Sequence, residues 1–288
     1  MAGVLQKSPV GRYEAKLIRR LRWRHLFARL TTSSALPATQ PVLIGALGGS
    51  GTRALVNIFR QAGIWMGDWT DPKTEDALAM RAFLAAWFEP IFTALDRGDK
   101  VPARAGQEFL AAMRVHRMHV PDSGQAWGWK NPRNMWLIPF YAGFFPGLKF
   151  IHIVRDGRDM ALSDNQFLLN SHGDALLGGD WRQNPLRAQL AMWEKGNSYA
   201  KLSAERFLAK DHYLPIRYED LCLDPLATIE RMLEFIEAPD AKRLADEFAG
   251  LIVPSKRIGA WKIAPEPEVH DLEPGVMAAL RTFGYPAS

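Results

Sequence analysis

Residues 43–53 constrain the fold more than any other part of the sequence. They read Leu-Ile-Gly-Ala-Leu-Gly-Gly-Ser-Gly-Thr-Arg, so an apolar strand runs into a loop of small residues and a helix-forming segment begins near Thr52. Small residues let successive backbone N–H groups point at one anion, and the helix N-terminus adds the positive end of its dipole. With Ser50 and Thr52 as hydroxyl donors, the stretch predicts a site for a phosphorylated ligand. A glycine-rich turn that only joins a strand to a helix is the alternative.

The loop differs from the P-loop of nucleoside triphosphatases, in which a lysine and then a hydroxyl residue follow the last glycine. Here Gly51 is followed by Thr52 and Arg53. Because the lysine and the Mg²⁺-binding hydroxyl are both missing from their places, the loop favours a ligand bound without a metal. The 7 histidines are scattered and show no zinc-type spacing, so no metal is expected.

A second strand leads directly into an arginine. Residues 148–154 read Leu-Lys-Phe-Ile-His-Ile-Val, which is typical of a strand inside a parallel sheet, and Arg155 follows. Open α/β sheets bind ligands at the carboxyl ends of their strands, and a guanidinium can donate two hydrogen bonds to a phosphate. Ser163 lies about two helical turns further on, so we expect it to reach the same anion.

At these positions the chain resembles the sulfotransferases that use 3′-phosphoadenosine 5′-phosphosulfate (PAPS). The family's phosphosulfate loop, Lys/Arg-Ser-Gly-Thr followed by Thr or Ser, is similar to residues 49–53, and its arginine followed eight positions later by a serine is similar to Arg155 and Ser163. Three more segments follow in the family's order. Residues 127–132 (Trp-Gly-Trp-Lys-Asn-Pro) resemble its strand that ends in a lysine, residues 215–221 (Pro-Ile-Arg-Tyr-Glu-Asp-Leu) resemble its late Tyr-Glu-Asp strand, and residues 257–262 (Arg-Ile-Gly-Ala-Trp-Lys) resemble its carboxy-terminal loop. The matched segments extend from residue 42 to residue 262.

The resemblance implies a three-layer α/β domain, with a central parallel sheet flanked by helices in the P-loop-like sulfotransferase architecture. It also implies in-line transfer of a sulfonate from PAPS to a hydroxyl or amine of a small-molecule, carbohydrate or lipid acceptor. Lys130 is implied to contact the sulfonate. The residues implied to bind the cofactor are Gly48, Gly49, Ser50, Gly51, Thr52, Arg53, Arg155, Ser163, Tyr218, Arg257 and Gly259. Helices are also expected from the sequence pattern, among them one over residues 135–144, and their alternation with strands favours a parallel sheet with helices on both faces.

The first loop departs from the family pattern. Gly49 stands where the family has lysine or arginine, and Arg53 stands where it has a second hydroxyl. If Arg53 points away from the ligand, Lys130 carries the sulfonate charge almost alone. Two other classes therefore stay open. One is a non-catalytic PAPS-binding protein, and the other is a P-loop-type nucleotide kinase or hydrolase, which the missing lysine and the Arg155 and Ser163 pair disfavour.

The reaction needs a group that accepts the proton of the acceptor hydroxyl. Related families use either a histidine two residues after the strand lysine or an acidic residue after the first loop. The histidine position holds Pro132, so the resemblance points to Glu75 or Asp76, at the start of a long helix predicted to begin near Glu75. Because consecutive helical residues point about 100° apart, one of the two faces the sulfonate, and we favour Asp76. The alternative is that both carboxylates only stabilise the helix N-terminus.

Positive charge is concentrated at the amino-terminal end. Residues 1–30 contain eight Lys or Arg against Glu14, a net charge of +7, while the whole chain has +5. Five apolar residues interleave with these cations and predict an amphipathic helix: Ile18, Leu21, Leu26, Phe27 and Leu30. We therefore divide the chain into a basic extension at 1–34 and a single sulfotransferase domain at 35–288. Residues 12–30 either contact anionic lipid or an acidic partner, or pack their apolar stripe on the enzyme.

Composition limits the expected location and partners of the protein. No run of eighteen apolar residues and no apolar signal core occurs, so neither a membrane span nor a secretory signal is expected. No nucleic-acid recognition module accompanies the basic segment, so nucleic acid is not an expected partner. Cys222 is the only cysteine, which excludes an internal disulfide. The expected location is cytoplasmic, with contact to the inner face of a membrane as an open alternative.

Overall fold

Four parallel strands form the centre of the computed structural model, which describes residues 9–31, 37, 39–48, 52–120 and 124–286. The strands are β1 (Val42–Ala46), β2 (Gly128–Lys130), β3 (Lys149–Val154) and β4 (Tyr213–Arg217). They lie in the order β2-β1-β3-β4. Since every pairing is parallel, the four carboxyl ends lie along one edge of the sheet.

Helices cover both faces of this sheet. One face is covered by α2 (Thr52–Gln61), α9 (Tyr218–Leu223), α10 (Pro225–Phe235) and α11 (Ala241–Ala249). The other face is covered by α1 (Pro9–Thr31), α3 (Leu78–Arg97), α4 (Ala103–His116), α5 (Ile138–Ala142), α6 (Gly157–Ala161), α7 (Phe167–Leu176), α8 (Pro185–Phe207) and α12 (Pro274–Thr282). Short 3₁₀ helices occupy Pro132–Trp136, Trp181–Gln183, Ala260–Ile263 and Pro267–Val269.

The strand sequences explain this layering. Along β1, Val42 and Ile44 belong to the core on the α2 face, whereas Leu43 belongs to the core on the α3 face. All five residues of β1 are buried, because a parallel sheet covered on both sides presents no face to water. Gly128 is needed at the start of β2, since a Cβ atom there would lie 1.9 Å from the carbonyl oxygen of Val42. The predicted α/β fold with a flanked parallel sheet is confirmed.

The long helix after the first loop begins later than predicted. It starts at Leu78 and not near Glu75. The carboxylate of Asp71 accepts hydrogen bonds from the backbone N–H groups of Lys73 and Thr74, at 2.9 and 3.1 Å, and so closes a turn ahead of the helix. Glu75 has a φ of 59°, a left-handed conformation that an α-helix cannot contain. Local side-chain capping therefore delays the helix and places Glu75 and Asp76 in a turn.

Two other boundaries differ from the prediction. The Tyr-Glu-Asp segment was expected to lie in a strand, but β4 ends at Arg217 and Tyr218 begins α9. The helix expected over residues 135–144 is divided into a 3₁₀ helix and α5, with Leu137 between them at a φ of −121°. The side chain of Asn134 donates to the carbonyl oxygen of Ile44 at 3.0 Å, which ties the 3₁₀ helix to β1.

The basic amino-terminal segment forms α1 and packs on α3 and α4. Leu17 and Leu21 are buried in the core, but Leu26 is 56% exposed, so the predicted apolar stripe is wrong in part. Nine helical positions separate Leu17 from Leu26, which puts them about 180° apart around the helix axis. The side chains of Phe27 and Leu30 lie outside the described part of the chain.

One described helix, α3, is long and apolar enough to cross a membrane by length and composition alone. Its most apolar window is 56% buried inside the protein. Core helices of globular proteins pass the same test, so this property is weak support for a span.

Candidate active site

A cavity of about 710 Å³ opens at the carboxyl edge of the sheet. This is where parallel α/β folds bind their ligands. Six residues that the sequence predicted for the site line it: Gly48, Thr52, Arg53, Asp76, Lys130 and Tyr218. Residues from α7, α9 and the segment 251–253 are also part of the lining.

Lys130 and Asp76 form a buried ion pair inside this cavity. The Lys130 Nζ donates to Asp76 Oδ1 at 2.9 Å and to the carbonyl oxygen of Thr74 at 2.8 Å. Lys130 is the last residue of β2, and its backbone carbonyl accepts from the N–H of Ala77, which holds the 71–77 turn beside the strand end. Both side chains are at least 90% buried, so their interaction is screened little by water.

Glu75 points elsewhere. Its carboxylate accepts from Arg60 at 2.8 Å and from the hydroxyl of Thr70 at 3.2 Å. It is not among the residues that line the cavity. Of the two adjacent carboxylates that the sequence singled out, the structure therefore brings only Asp76 to Lys130.

The first glycine-rich loop is described at its two ends. Gly48 lines the cavity on one side, and Thr52 begins α2 on the other. Arg53 also lines the cavity, and its guanidinium donates to the backbone carbonyl of Lys73 at 3.3 Å. Gly49, Ser50 and Gly51 lie outside the described residues, so their part in the site stays a prediction.

Arg155 and Arg257, two of the residues implied to bind the cofactor, are in contact at the end of β3, whereas the Ser163 hydroxyl accepts from the N–H of Asn165 at 3.3 Å. The Arg155 Nη2 donates to the backbone carbonyl of Arg257 at 3.1 Å, and its guanidinium lies 5.3 Å from the ring centre of Tyr218. The Arg257 guanidinium donates to Asp164 at 3.0 Å, and Asp164 directly follows Ser163. This cluster adjoins the cavity through Tyr218, because that residue lines the cavity. Burial raises the pKa of Tyr218 to about 12, which keeps its hydroxyl protonated at neutral pH.

Two buried groups hold this cluster in position. The indole N–H of Trp193 donates to the backbone carbonyl of Arg155 at 2.8 Å, and a Cβ on Gly157 would lie 2.5 Å from the same indole. The carboxylate of Asp159 accepts from the backbone N–H groups of Gly259 and Trp261 at 2.7 and 3.0 Å. Burial raises the pKa of Asp159, and these N–H groups oppose that shift. The carboxy-terminal loop is therefore fastened to α6 through Asp159.

Sequence reasoning missed several cavity residues, above all Arg133. It is the second residue of the 3₁₀ helix after β2, and only 3% of its surface is exposed. Burial lowers the pKa of Arg133, and the Glu14 carboxylate opposes that shift. The signal that could have found it is its position, directly after the Lys130 strand end. The other missed cations are Lys73 and Arg81.

The charge of the lining suits a strongly anionic ligand. Five cations line the cavity, namely Arg53, Lys73, Arg81, Lys130 and Arg133, whereas Asp76 is the only carboxylate among its described lining residues. Several cationic side chains in one place bind phosphate and sulfate groups. Within the described residues, no three His, Cys, Asp or Glu side chains come together as metal ligands.

The chain belongs to the sulfotransferase family, because the family model matches residues 41–242. No curated protein sequence matches it significantly. Among solved structures, it is similar to sulfotransferase STF9 from Mycobacterium avium, with a TM-score of 0.64 and 14% identity over 98% of this chain and 88% of that one. It is also similar to the sulfotransferase domain from the curacin biosynthetic pathway, with a TM-score of 0.51 and 15% identity over 87% of this chain and 98% of that one. At these identities the likeness shows the fold, and the predicted P-loop-like sulfotransferase architecture is confirmed.

Proposed function

We propose that the protein transfers a sulfonate from PAPS to a hydroxyl of a small-molecule, carbohydrate or lipid acceptor. The observation that carries this proposal is the buried Lys130 and Asp76 pair, which lies in the same cavity as the start of α2. The pair puts a cation for the sulfonate and a proton acceptor for the acceptor hydroxyl side by side, which are the two groups that the transfer needs. The pair therefore favours an enzyme over a non-catalytic PAPS-binding protein.

Two groups of residues are suited to bind the two ends of PAPS, the phosphosulfate and the 3′-phosphate. The start of α2, with Thr52 and Arg53, supplies N–H groups and a cation to the phosphosulfate end. Arg155 and Arg257 supply guanidinium groups to the 3′-phosphate end. This second group separates PAPS from ATP or ADP, which carry no 3′-phosphate.

The bound donor supplies the sulfonate and a phosphate leaving group. Lys130 stabilises the charge that develops between the sulfonate and the departing phosphate oxygen. Asp76 accepts the proton of the acceptor hydroxyl, which attacks in line with the leaving group. Because Asp76 is also the ion-pair partner of Lys130, one carboxylate orients the lysine and serves as the base.

The first test is calorimetric binding of 3′-phosphoadenosine 5′-phosphate (PAP) and of ADP, without metal. We expect PAP to bind more tightly than ADP, and Arg155→Ala to weaken PAP binding by roughly 10- to 100-fold, as the loss of a charge-assisted contact implies. Arg155→Lys keeps the charge but loses the paired donors, so it should fall between. Arg187→Ala, which removes an arginine paired with Asp271 and Glu273, is the control.

The outcomes separate the candidate functions. Equal affinity for PAP and ADP would refute PAPS as the donor, and Mg²⁺-dependent ATP turnover would favour a nucleotide kinase or hydrolase. Tight PAP binding without sulfonate transfer to any member of a broad acceptor panel would favour the non-catalytic alternative.

We also propose that the outer face of α1 contacts an anionic membrane surface. Arg12, Lys16, Arg19, Trp23 and Leu26 are all exposed and recur at helical spacing on one face, with Trp23 70% exposed. Cations combined with an exposed tryptophan and leucine are typical of helices that lie on anionic lipid. The opposite face of α1 is packed on the protein, so the helix can bind lipid without leaving its place.

Cosedimentation with lipid vesicles tests this contact. We expect binding to vesicles with about 30% phosphatidylglycerol, little binding to pure phosphatidylcholine, and loss of binding in 0.5 M salt, since surface charge is then screened within about 4 Å. Trp23→Ser with Leu26→Ser should weaken binding, whereas Leu202→Ser with Phe207→Ser, at two exposed positions of α8, should not. Equal effects of the two double variants would refute a role of α1.

A further inference from the structure

Arg133 is a buried cation with an unused donor. Its Nη1 is buried and has no hydrogen-bond partner among the described atoms, and its Nη2 lies 3.9 Å from Glu14 Oε1, beyond hydrogen-bond distance. Taking a guanidinium out of water is costly unless it is paired and fully hydrogen-bonded. Arg133 also lines the cavity, so its guanidinium lies at the boundary between the core and the space that a ligand can enter.

Hydrogen bonds hold the backbone around Arg133, and the burial of its side chain restricts the guanidinium. The side chain of Asn131 accepts from the Arg133 N–H at 3.0 Å. Asn134 donates to the carbonyl of Ile44 and accepts from the indole N–H of Trp129 at 3.1 Å. A donor that is fixed in advance binds an anion without a further ordering cost.

Arg133 lies away from the residues that are proposed to bind the sulfonate donor, PAPS. Its guanidinium is 5.9 Å from the ring centre of Phe88 in α3 and approaches Glu14 in α1, two helices that contribute nothing to the PAP cluster. Phe167 and Leu168 of α7 give the same cavity an apolar wall. Phe167 lies on the Phe88 side, because the His172 ring is 6.4 Å from the Phe167 ring and 4.6 Å from the Phe88 ring. This side of the cavity is therefore the place for an acceptor, beyond the Lys130 and Asp76 pair.

We propose that the acceptor carries an oxyanion group, a carboxylate, phosphate or sulfate, that binds Arg133 while its hydroxyl faces Asp76. This inference rests on the proposed sulfonate transfer and narrows its acceptor class. A planar guanidinium with a free N–H edge matches an oxyanion through parallel hydrogen bonds. The apolar wall accommodates the carbon skeleton between the hydroxyl and the anion.

The test uses acceptor pairs that share a carbon skeleton and in which one member has a neutral group in place of the carboxylate: 4-hydroxyphenylacetate and its amide, glucuronate and glucose, and 12-hydroxydodecanoate and its methyl ester. Each compound is titrated into the PAP-loaded protein, and sulfonate transfer from PAPS is measured separately. For the pair that binds best, we expect the anion to bind roughly 10- to 100-fold more tightly than its neutral partner, as one charge-assisted contact would give.

Three variants locate the origin of that preference. Arg133→Met should remove it, and Arg133→Lys should keep part of it, while PAP affinity stays within about threefold of the wild type. Arg117→Met is the matched control, because Arg117 also has a buried Nη1 without a described partner, lies over the ring of Trp127 and does not line the cavity. If Arg133→Met does not fold, Arg133→Lys carries the test.

Two results would overturn the inference. One is equal binding of all charged and neutral partners to the PAP-loaded wild type. The other is a loss of PAP affinity in the Arg133 variants that is as large as the loss of acceptor affinity. That result would place Arg133 in the binding site of PAPS. Failure of PAP to bind the wild type would instead refute the proposed function.

Discussion

Replacement of Asp76 by asparagine is the sharpest test of the proposed chemistry. The substitution keeps the shape and one hydrogen-bond acceptor but removes the negative charge that lies 2.9 Å from the Lys130 ammonium. If Asp76 is the base, the chemical step should slow by about 10² to 10⁴, the usual contribution of general base catalysis. Donor binding should change little, because Arg155 and Arg257 hold the other end of the nucleotide.

The same substitution should lower stability by a calculable amount. At 2.9 Å and an effective dielectric constant of about 20, the two charges attract by about 6 kcal/mol, and desolvation offsets part of this. Removal of one partner of a buried pair costs about 3–5 kcal/mol, and the neutral amide returns a hydrogen bond of about 1 kcal/mol. We therefore expect the free energy of unfolding to fall by about 2–4 kcal/mol.

Glu75→Gln is the matched comparison, since it neutralises the adjacent carboxylate. Glu75 pairs with Arg60 at a partly exposed position, so its loss should lower stability by about 1 kcal/mol or less and leave the chemical step within about threefold. Single-turnover transfer, PAP calorimetry and urea denaturation measure the three quantities on both variants. The assignment of the base is wrong if Asp76→Asn retains the wild-type rate, or if the two variants slow the reaction equally.

Three further predictions follow from the buried polar groups. Burial lowers the pKa of His116 to about 4, against about 6.5 in the unfolded chain. As the pH falls, the unfolded state therefore binds a proton before the folded state does. The stability that is present above pH 6.5 is lost as the pH falls toward 4. At pH 5 the loss should be about 2 kcal/mol, and His116→Gln should flatten the dependence of the urea midpoint on pH; an unchanged slope would contradict the cause. Asp159→Asn should weaken PAP binding by roughly 10-fold, because the carboxylate holds two N–H groups of the carboxy-terminal loop, and unchanged calorimetric affinity would show that the loop does not need it. Trp193→Phe should weaken PAP binding by about 3- to 10-fold through the lost hydrogen bond to the Arg155 carbonyl, with ADP as the comparison ligand.

The sequence by itself determined the class of fold and the strand ends where the site lies. The apolar strands over residues 42–46 and 149–154 are buried on both faces, a pattern that only a covered parallel sheet explains. Arg155 could be placed because it follows the second of these strands directly, and Lys130 because residues 127–132 resemble the family's strand that ends in a lysine.

Only the tertiary structure decided which side chains meet. Asp76 and Glu75 are neighbours in sequence, but Glu75 has a left-handed φ and the two side chains point in different directions. Glu75 pairs with Arg60, whereas Asp76 pairs with Lys130. The position of Arg133 after the Lys130 strand end was a signal, but its burial could not be predicted, because burial depends on Glu14, 119 positions earlier, and on the helices that pack above it. Such contacts join segments far apart in the chain, and a local pattern holds no information about which distant partner will cover it.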